Sequence, residues 1–313
     1  MAGVLDRVDL RTRLAGRNRL ELLMFKLVGR QRYGINVFKV REVIHCPPLT
    51  KLPDSMPVVR GVAHLRGNTI SIIDLNMALG GKPTENVEDS FVIVTEYNRS
   101  VQGFLVGGVD RIVNHEWKDI RQPPPGLGDE NYLTAVTEVD GELVEVIDVE
   151  KVHAEVTGLV VEVSEELTHK VEKNDDIKPI FVVDDSNVAR KQITRALDQA
   201  GLHYITAING REALEMLQGW CEGGEPISNK ISMMISDIEM PEMDGYTLTK
   251  EVKDDPRLKG LYVLLHSSLS GVFNEGMVKQ VGADHFLAKF NADGLIEFVF
   301  GHVARDQHTA DAA

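Results

Sequence analysis

The chain is poor in cysteine, with two in 313 residues, Cys46 and Cys221. Two thiols that far apart exclude a disulfide framework and a cysteine-rich zinc site, and they fit a reducing compartment. Excess positive charge is also missing. The sequence sets 34 basic residues against 48 acidic ones, a net charge of -14. Such a balance argues against a protein that works by gripping nucleic-acid phosphates, and no helix-turn-helix pattern stands at the C-terminal end to suggest otherwise. Long apolar runs are absent, so no segment is expected to insert into a membrane. Asp6, Arg7 and Asp9 interrupt the N-terminus where a signal peptide would carry its apolar core. None of the ten histidines stands at His-x-x-x-His or HExxH spacing, which leaves no histidine zinc motif. What remains is 43% hydrophobic and 26% charged, the composition of a globular chain long enough for two domains.

Those two domains are written in different grammars. Residues 1–19 carry five arginines against two aspartates and are expected to form a short N-terminal helix or tail. From 20 to about 152 the chain alternates short β-branched runs with turns. Asp140-Gly141 is a hairpin signal, and Gly34, Gly61, Gly67, Gly103, Gly107 and Gly108 punctuate the strands as bends and bulges would. This predicts barrel-like β structure rather than βαβ units. Between Val156 and Lys178 acidic residues accumulate, which predicts an acidic helix fading into a linker at Pro179. Beyond Pro179 five short apolar strands alternate with helices, the pattern of a doubly wound parallel sheet. The expected layout is an N-terminal tail (1–19), an all-β domain (20–160), an acidic linker (161–178), an α/β domain (179–305) and a disordered tail (306–313).

Ligands of such sheets sit at the carboxyl ends of the strands. Asp184-Asp185 end the first strand of this half, Asp237 the third and His266-Ser267-Ser268 the fourth, and Lys289 follows the fifth. Three carboxylates, a hydroxyl and an ammonium therefore meet on one edge. Clustered carboxylates repel one another, and a divalent cation relieves the repulsion. Oxygen-only ligands select Mg²⁺, which also accepts phosphate oxygens. An aspartate can attack phosphorus, a lysine can hold a phosphoryl oxygen, and a serine hydroxyl can hydrogen-bond it. The pattern D-x-D-x-[TV] of aspartate-nucleophile phosphatases is not met by Asp184-Asp185-Ser186-Asn187-Val188, so a hydrolase of that class is disfavoured.

Asp184-Asp185-Ser186, SDIEMPEMDG, HSS and AKF resemble the response-regulator receiver domain over about 180–305. The resemblance implies a flavodoxin-like five-stranded fold with Asp237 as phosphoacceptor, charged by a partner histidine kinase. It implies Mg²⁺ held by Asp185 and Asp237, with help from Asp184 and the backbone carbonyl of Glu239. Ser267 would be the switch hydroxyl, Phe286 the switch aromatic and Lys289 the phosphoryl-binding lysine. Two departures stand out: Phe290 occupies the position usually held by proline, and Gly219–Lys230 lengthens the connection before the third strand.

Upstream, Tyr33-Gly34-Ile35, Glu42-Val43-Ile44, Arg60-Gly61-Val62, Leu65-Arg66-Gly67 and Ile72-Ile73-Asp74-Leu75 resemble the CheW-type coupling domain over about 20–155. That family implies two five-stranded barrels around a shared core, and partner binding at Arg66 and Gly67. Its partners are the cytoplasmic tips of methyl-accepting chemoreceptors and the histidine kinase CheA. A coupling domain followed by a receiver resembles the CheV family. By that resemblance the chain is a cytoplasmic adaptor at chemoreceptor arrays, regulated by phosphorylation and not itself an enzyme. The alternative is a receiver that serves mainly as a phosphate sink for the kinase.

Overall fold

The computed structural model describes residues 19–97, 100–116, 119–121, 123, 132–158, 163–164, 167, 177–267, 278–288 and 291–310. The expected helix within 1–19 lies outside them, apart from Arg19. The chain divides into two compact units after Leu159.

In the first unit, strand β1 (Arg19–Lys26) is buried on both faces. Leu20, Leu22 and Met24 enter one apolar cluster, while Leu23 and Phe25, with Leu27 just beyond, enter another. This is the period-2 alternation of a strand with core on either side. Then follow β2 (Arg32–Asn36), β3 (Val40–His45), β4 (Val59–Leu65), β5 (Asn68–Asp74), the short helix α1 (Leu75–Ala78), β6 (Phe91–Tyr97), β7 (Ser100–Val106), β8 (Gly108–Glu116), β9 (Leu133–Val139), β10 (Glu142–Ile147) and helix α2 (Val149–Thr157). They form two five-stranded sheets among the described residues, ordered β8-β1-β2-β10-β9 and β3-β6-β7-β5-β4. Each sheet contains one parallel pair, β2 with β10 and β5 with β7, among antiparallel neighbours. Each lines its own apolar cluster, and a third cluster draws Leu23, Phe25 and Ile35 from one sheet and Ile73, Ile93 and Phe104 from the other. The expected pair of five-stranded β elements around a shared core is thus present.

Local chemistry sets the register. Asp140 and Gly141, with φ of 54° and 77°, turn β9 into β10, a pair of left-handed residues suited to a two-residue hairpin. Gly61 has φ of 147°, and a Cβ there would come within 2.5 Å of the Thr50 carbonyl oxygen, so only glycine fits. Asp74, wholly buried, caps α1 through Met77 N–H at 3.3 Å. It also accepts from Thr84 N–H at 2.8 Å, from Thr84 Oγ1 at 2.9 Å and from Arg60 Nη1 at 3.0 Å. One carboxylate therefore ties the end of β5 to β4 and to the loop that follows.

Helix α2 begins in the stretch expected as strands and turns and ends where the acidic helix was expected to begin. It runs from the Asp148 cap, which accepts from Glu150 and Lys151 N–H, to Gly158 at φ 62°. Val149 and Val152, three apart, bury one face in the shared core. Burial pushes the Asp148 carboxyl above its ordinary range, against the pull of nearby Lys39 and the cap hydrogen bonds.

The second unit is built from β11 (Ile180–Val183), α3 (Asn187–Gln199), β12 (Tyr204–Ala207), α4 (Gly210–Trp220), β13 (Met233–Ser236), α5 (Gly245–Asp254), β14 (Val263–Ser267), β15 (His285–Ala288) and α6 (Ala292–Ala310). Its strands pair in parallel in the order β12-β11-β13-β14-β15. Ile180 and Val182 face one helical layer, Phe181 and Val183 the other, which makes this the expected doubly wound sheet.

Three details of this unit go beyond the sequence reading. Helix α6 continues through Ala310, past the boundary drawn at 305, because neither proline nor glycine follows Gly301 to stop it. The long connection before β13 is ordered by a turn at Ile227–Asn229 that buries Ile227 in the core. The stretch read as linker is tied down where it is described: Val163 and Leu167 are buried in the second unit's core. The acidic composition around them masked two apolar anchors.

Replacing Asp74 with Ala leaves Arg60 and three donors without their shared acceptor, and is expected to destabilise the first unit by roughly 3–5 kcal/mol. Urea unfolding followed by circular dichroism measures this, and a loss below about 1 kcal/mol would contradict the assigned role.

Candidate functional site

The site rests on backbone geometry at the carboxyl edge of the parallel sheet. Asp237 donates its N–H to Val183 O at 2.8 Å, locking the end of β13 beside the end of β11. Ser236 Oγ donates to Asp237 O at 2.8 Å. Asp184 accepts from Ser186 N–H at 2.9 Å, and Ser186 caps α3 through Ala189 N–H. Arg190, one turn into α3, reaches back to donate to Asp184 O at 2.5 Å. The Asp-Asp-Ser sequence therefore makes a strand end, a turn and a helix cap in three residues.

These constraints bring Asp184, Asp185 and Asp237 together, each offering a carboxylate oxygen, with the three atoms within 4.8 Å of one another. Asp184 and Asp237 are buried and Asp185 is half-buried. The donors are all oxygens, and their spacing is short enough for one small hard cation, so the residues present fit Mg²⁺. Ser267, also buried, ends β14, the neighbour of β13. Phe286 stands in β15 opposite Leu265 and packs in part against the core on that side. Glu239 follows Asp237 by two residues. Lys289 and Phe290 lie outside the described residues.

The loop after Asp237 explains its glycine. A Cβ on Gly245 would collide with Asp237 O, and Gly245 N–H donates to Ile238 O at 2.8 Å. Asp244 then caps α5, accepting from Thr247 N–H at 2.8 Å and Thr247 Oγ1 at 2.9 Å. Burial raises the Asp244 carboxyl against the pull of those hydrogen bonds. Burial also raises the Tyr246 hydroxyl, with the charges of Glu239 and Asp244 adding to the effect, so it remains a donor across the physiological range.

In the first unit Arg66 and Gly67 form the two-residue turn from β4 to β5, with φ of 48° and 86°. Asparagine or aspartate is the usual occupant of the first position, and arginine there is sterically disfavoured. Its side chain is 73% exposed and pairs with Glu42 Oε2 at 2.8 Å. Glu42 carried no assigned role in the sequence. It lies 24 residues from Arg66, and no local signal connects the two.

Comparison with known proteins follows the same division. A family model of the CheW-like domain matches residues 21–156, and one of the response regulator receiver domain matches residues 180–299. Chemotaxis protein CheV1 of Helicobacter pylori is 32% identical over 311 residues, covering 93% of this chain and 95% of that protein. Chemotaxis protein CheV3 of the same organism is 30% identical over 292 residues, covering 89% and 93%.

Because the three carboxylates repel one another, Asp185→Asn is expected to raise the thermal midpoint of the second unit in chelator by about 2–8 °C. The same change is expected to abolish the further rise that Mg²⁺ gives the unsubstituted protein. Equal Mg²⁺ stabilisation of both proteins, followed by scanning calorimetry, would contradict the ligand set.

Proposed function

The chain belongs to the CheV family of chemotaxis proteins, and from that premise we propose that it couples chemoreceptors to the histidine kinase CheA under the control of phosphorylation at Asp237. The observation that carries this reading is the cluster of Asp184, Asp185 and Asp237 on a chain that also bears a CheW-like domain.

In this reading an Asp237 carboxylate oxygen attacks the phosphorus of a phosphohistidine on the kinase. A P–O bond forms as the P–N bond breaks, and the imidazole leaves with the bonding pair. Mg²⁺ bound at the cluster supplies charge neutralisation for the carboxylates and the phosphoryl oxygens. Asp185 and Asp237, helped by Asp184 and the Glu239 carbonyl, would hold the ion, and the caps on α3 and α5 keep the surrounding backbone from shifting as charge builds up. Ser267 donates its hydroxyl to a phosphoryl oxygen, Lys289 pairs with another, and Phe286 follows the rearrangement on β15. The added charge is near -2, enough to rearrange a two-state surface.

The CheW-like half supplies the contacts with receptor tips and kinase. Arg66 is the residue proposed to face a partner, with Gly67 completing its turn. A solvent-exposed arginine held in an unfavourable backbone conformation is what a binding role would retain and a purely structural turn would not. Among the described residues no helix is long and apolar enough to cross a membrane.

Asp237→Asn is expected to abolish transfer of labelled phosphate from phosphorylated kinase while receptor pull-down stays within twofold of the unsubstituted protein. Persistent labelling would sink the phosphoacceptor assignment, and loss of receptor binding in parallel would point to misfolding rather than to a lost acceptor.

A further inference from the structure

Val163 and Leu167 sit in an acidic stretch, yet both are buried, at 8% and 4% exposure. They share a cluster with Ile193 and Leu197 of α3 and with Leu295 and Val299 of α6. Two backbone amides beside them are held by side chains from those same helices. Val163 N–H donates to Gln199 Oε1 at the end of α3, and Ser164 N–H donates to Asp293 Oδ1 in the first turn of α6, each at 2.8 Å. Leu167 N–H closes a turn on Ser164 O at 3.0 Å. A solvated linker would leave these amides to water and its apolar side chains exposed. Here the chain bridges two helices.

Both helices begin at the carboxylate edge. Helix α3 starts at the Ser186 cap directly after Asp184 and Asp185, and Arg190 ties its first turns to Asp184. Helix α6 starts three residues after Lys289, and Asp293 lies four positions past that lysine and seven past Phe286. A helix moves largely as a unit, so a shift in either helix start reaches the groove in which Val163 and Leu167 lie.

We propose that the segment bearing Val163, Ser164 and Leu167 is a strap across the α3–α6 groove, and that phosphorylation of Asp237 loosens it. The groove is thus a docking surface whose occupant is the chain's own segment, the one that leads back toward the CheW-like half. Loosening frees additional connecting chain and uncovers an apolar groove. By thermodynamic reciprocity, a loosened strap must in turn favour the phosphorylated site. This inference rests on the reading of Asp237 as phosphoacceptor.

The test uses the full chain with Mg²⁺ and beryllofluoride, a phosphoryl mimic. Calorimetry first measures mimic binding, and hydrogen–deuterium exchange then follows the Val163 and Ser164 amides. The expected result is binding accompanied by about 5- to 150-fold faster exchange at those two amides. Leu167→Asp is expected to speed their exchange without the mimic and to tighten mimic binding by a similar factor. Mimic binding with unchanged or slower strap exchange would overturn the strap while leaving the phosphoacceptor reading intact. No mimic binding, in either protein, would overturn the phosphoacceptor reading and this inference with it.

Discussion

Mutual repulsion among Asp184, Asp185 and Asp237 is the constraint around which the second unit is organised. Three carboxylate oxygens within 4.8 Å are unfavourable in a metal-free protein, and the backbone keeps them there regardless. Asp237 N–H is fixed on Val183, Asp184 is pinned by Ser186 N–H and by Arg190, and Gly245 gives the loop room to pass beneath the Asp237 carbonyl. A divalent cation would relieve that repulsion, whereas a phosphoryl group would add negative charge to it and so depend on the cation. In the proposed function, that arrangement is what would let a small sheet edge bind a hard ion and respond to one added phosphate.

The first unit shows the opposite strategy, with charges neutralised internally. Asp74 is satisfied by Arg60, Thr84 and the α1 cap, so the junction of β4, β5 and the following loop is rigid. Against that rigid frame Arg66 stands out, since an ordinary turn would use the residue type that Asp140 provides at β9–β10. Its Glu42 partner holds the guanidinium in one direction while most of the side chain remains in solvent. Surface ion pairs of this kind contribute little to stability, about 0–1 kcal/mol. Orientation, rather than stability, is what the pair offers.

Much of this was legible in the sequence because the signals are local. The two-sided apolar alternation in Leu20 to Leu27, the Asp140-Gly141 hairpin and the four-residue apolar strand Ile180–Val183 announce their own structure. The carboxylates were legible because strand ends of a doubly wound sheet fall on one edge whatever the intervening sequence. What escaped was either masked by composition or non-local. Most of helix α2 hid in a stretch read as strands and turns, although Asp148 and Gly158 mark its two ends. Val163 and Leu167 hid among glutamates, and Gln199 and Asp293, which hold the Val163 and Ser164 amides, lie 36 and 129 residues away. The same distance problem concealed Glu42 behind Arg66.

The central claim is that Asp237 controls coupling. It is tested most directly by reconstituting receptor, kinase and this protein, and by comparing kinase output with the unsubstituted chain and with Asp237→Asn at equal receptor occupancy. The account expects the two to diverge once the kinase begins to donate phosphate, with the substituted protein's complexes holding their initial output. Identical output throughout, with the unsubstituted chain demonstrably phosphorylated, would contradict it and leave the receiver as a sink for phosphate.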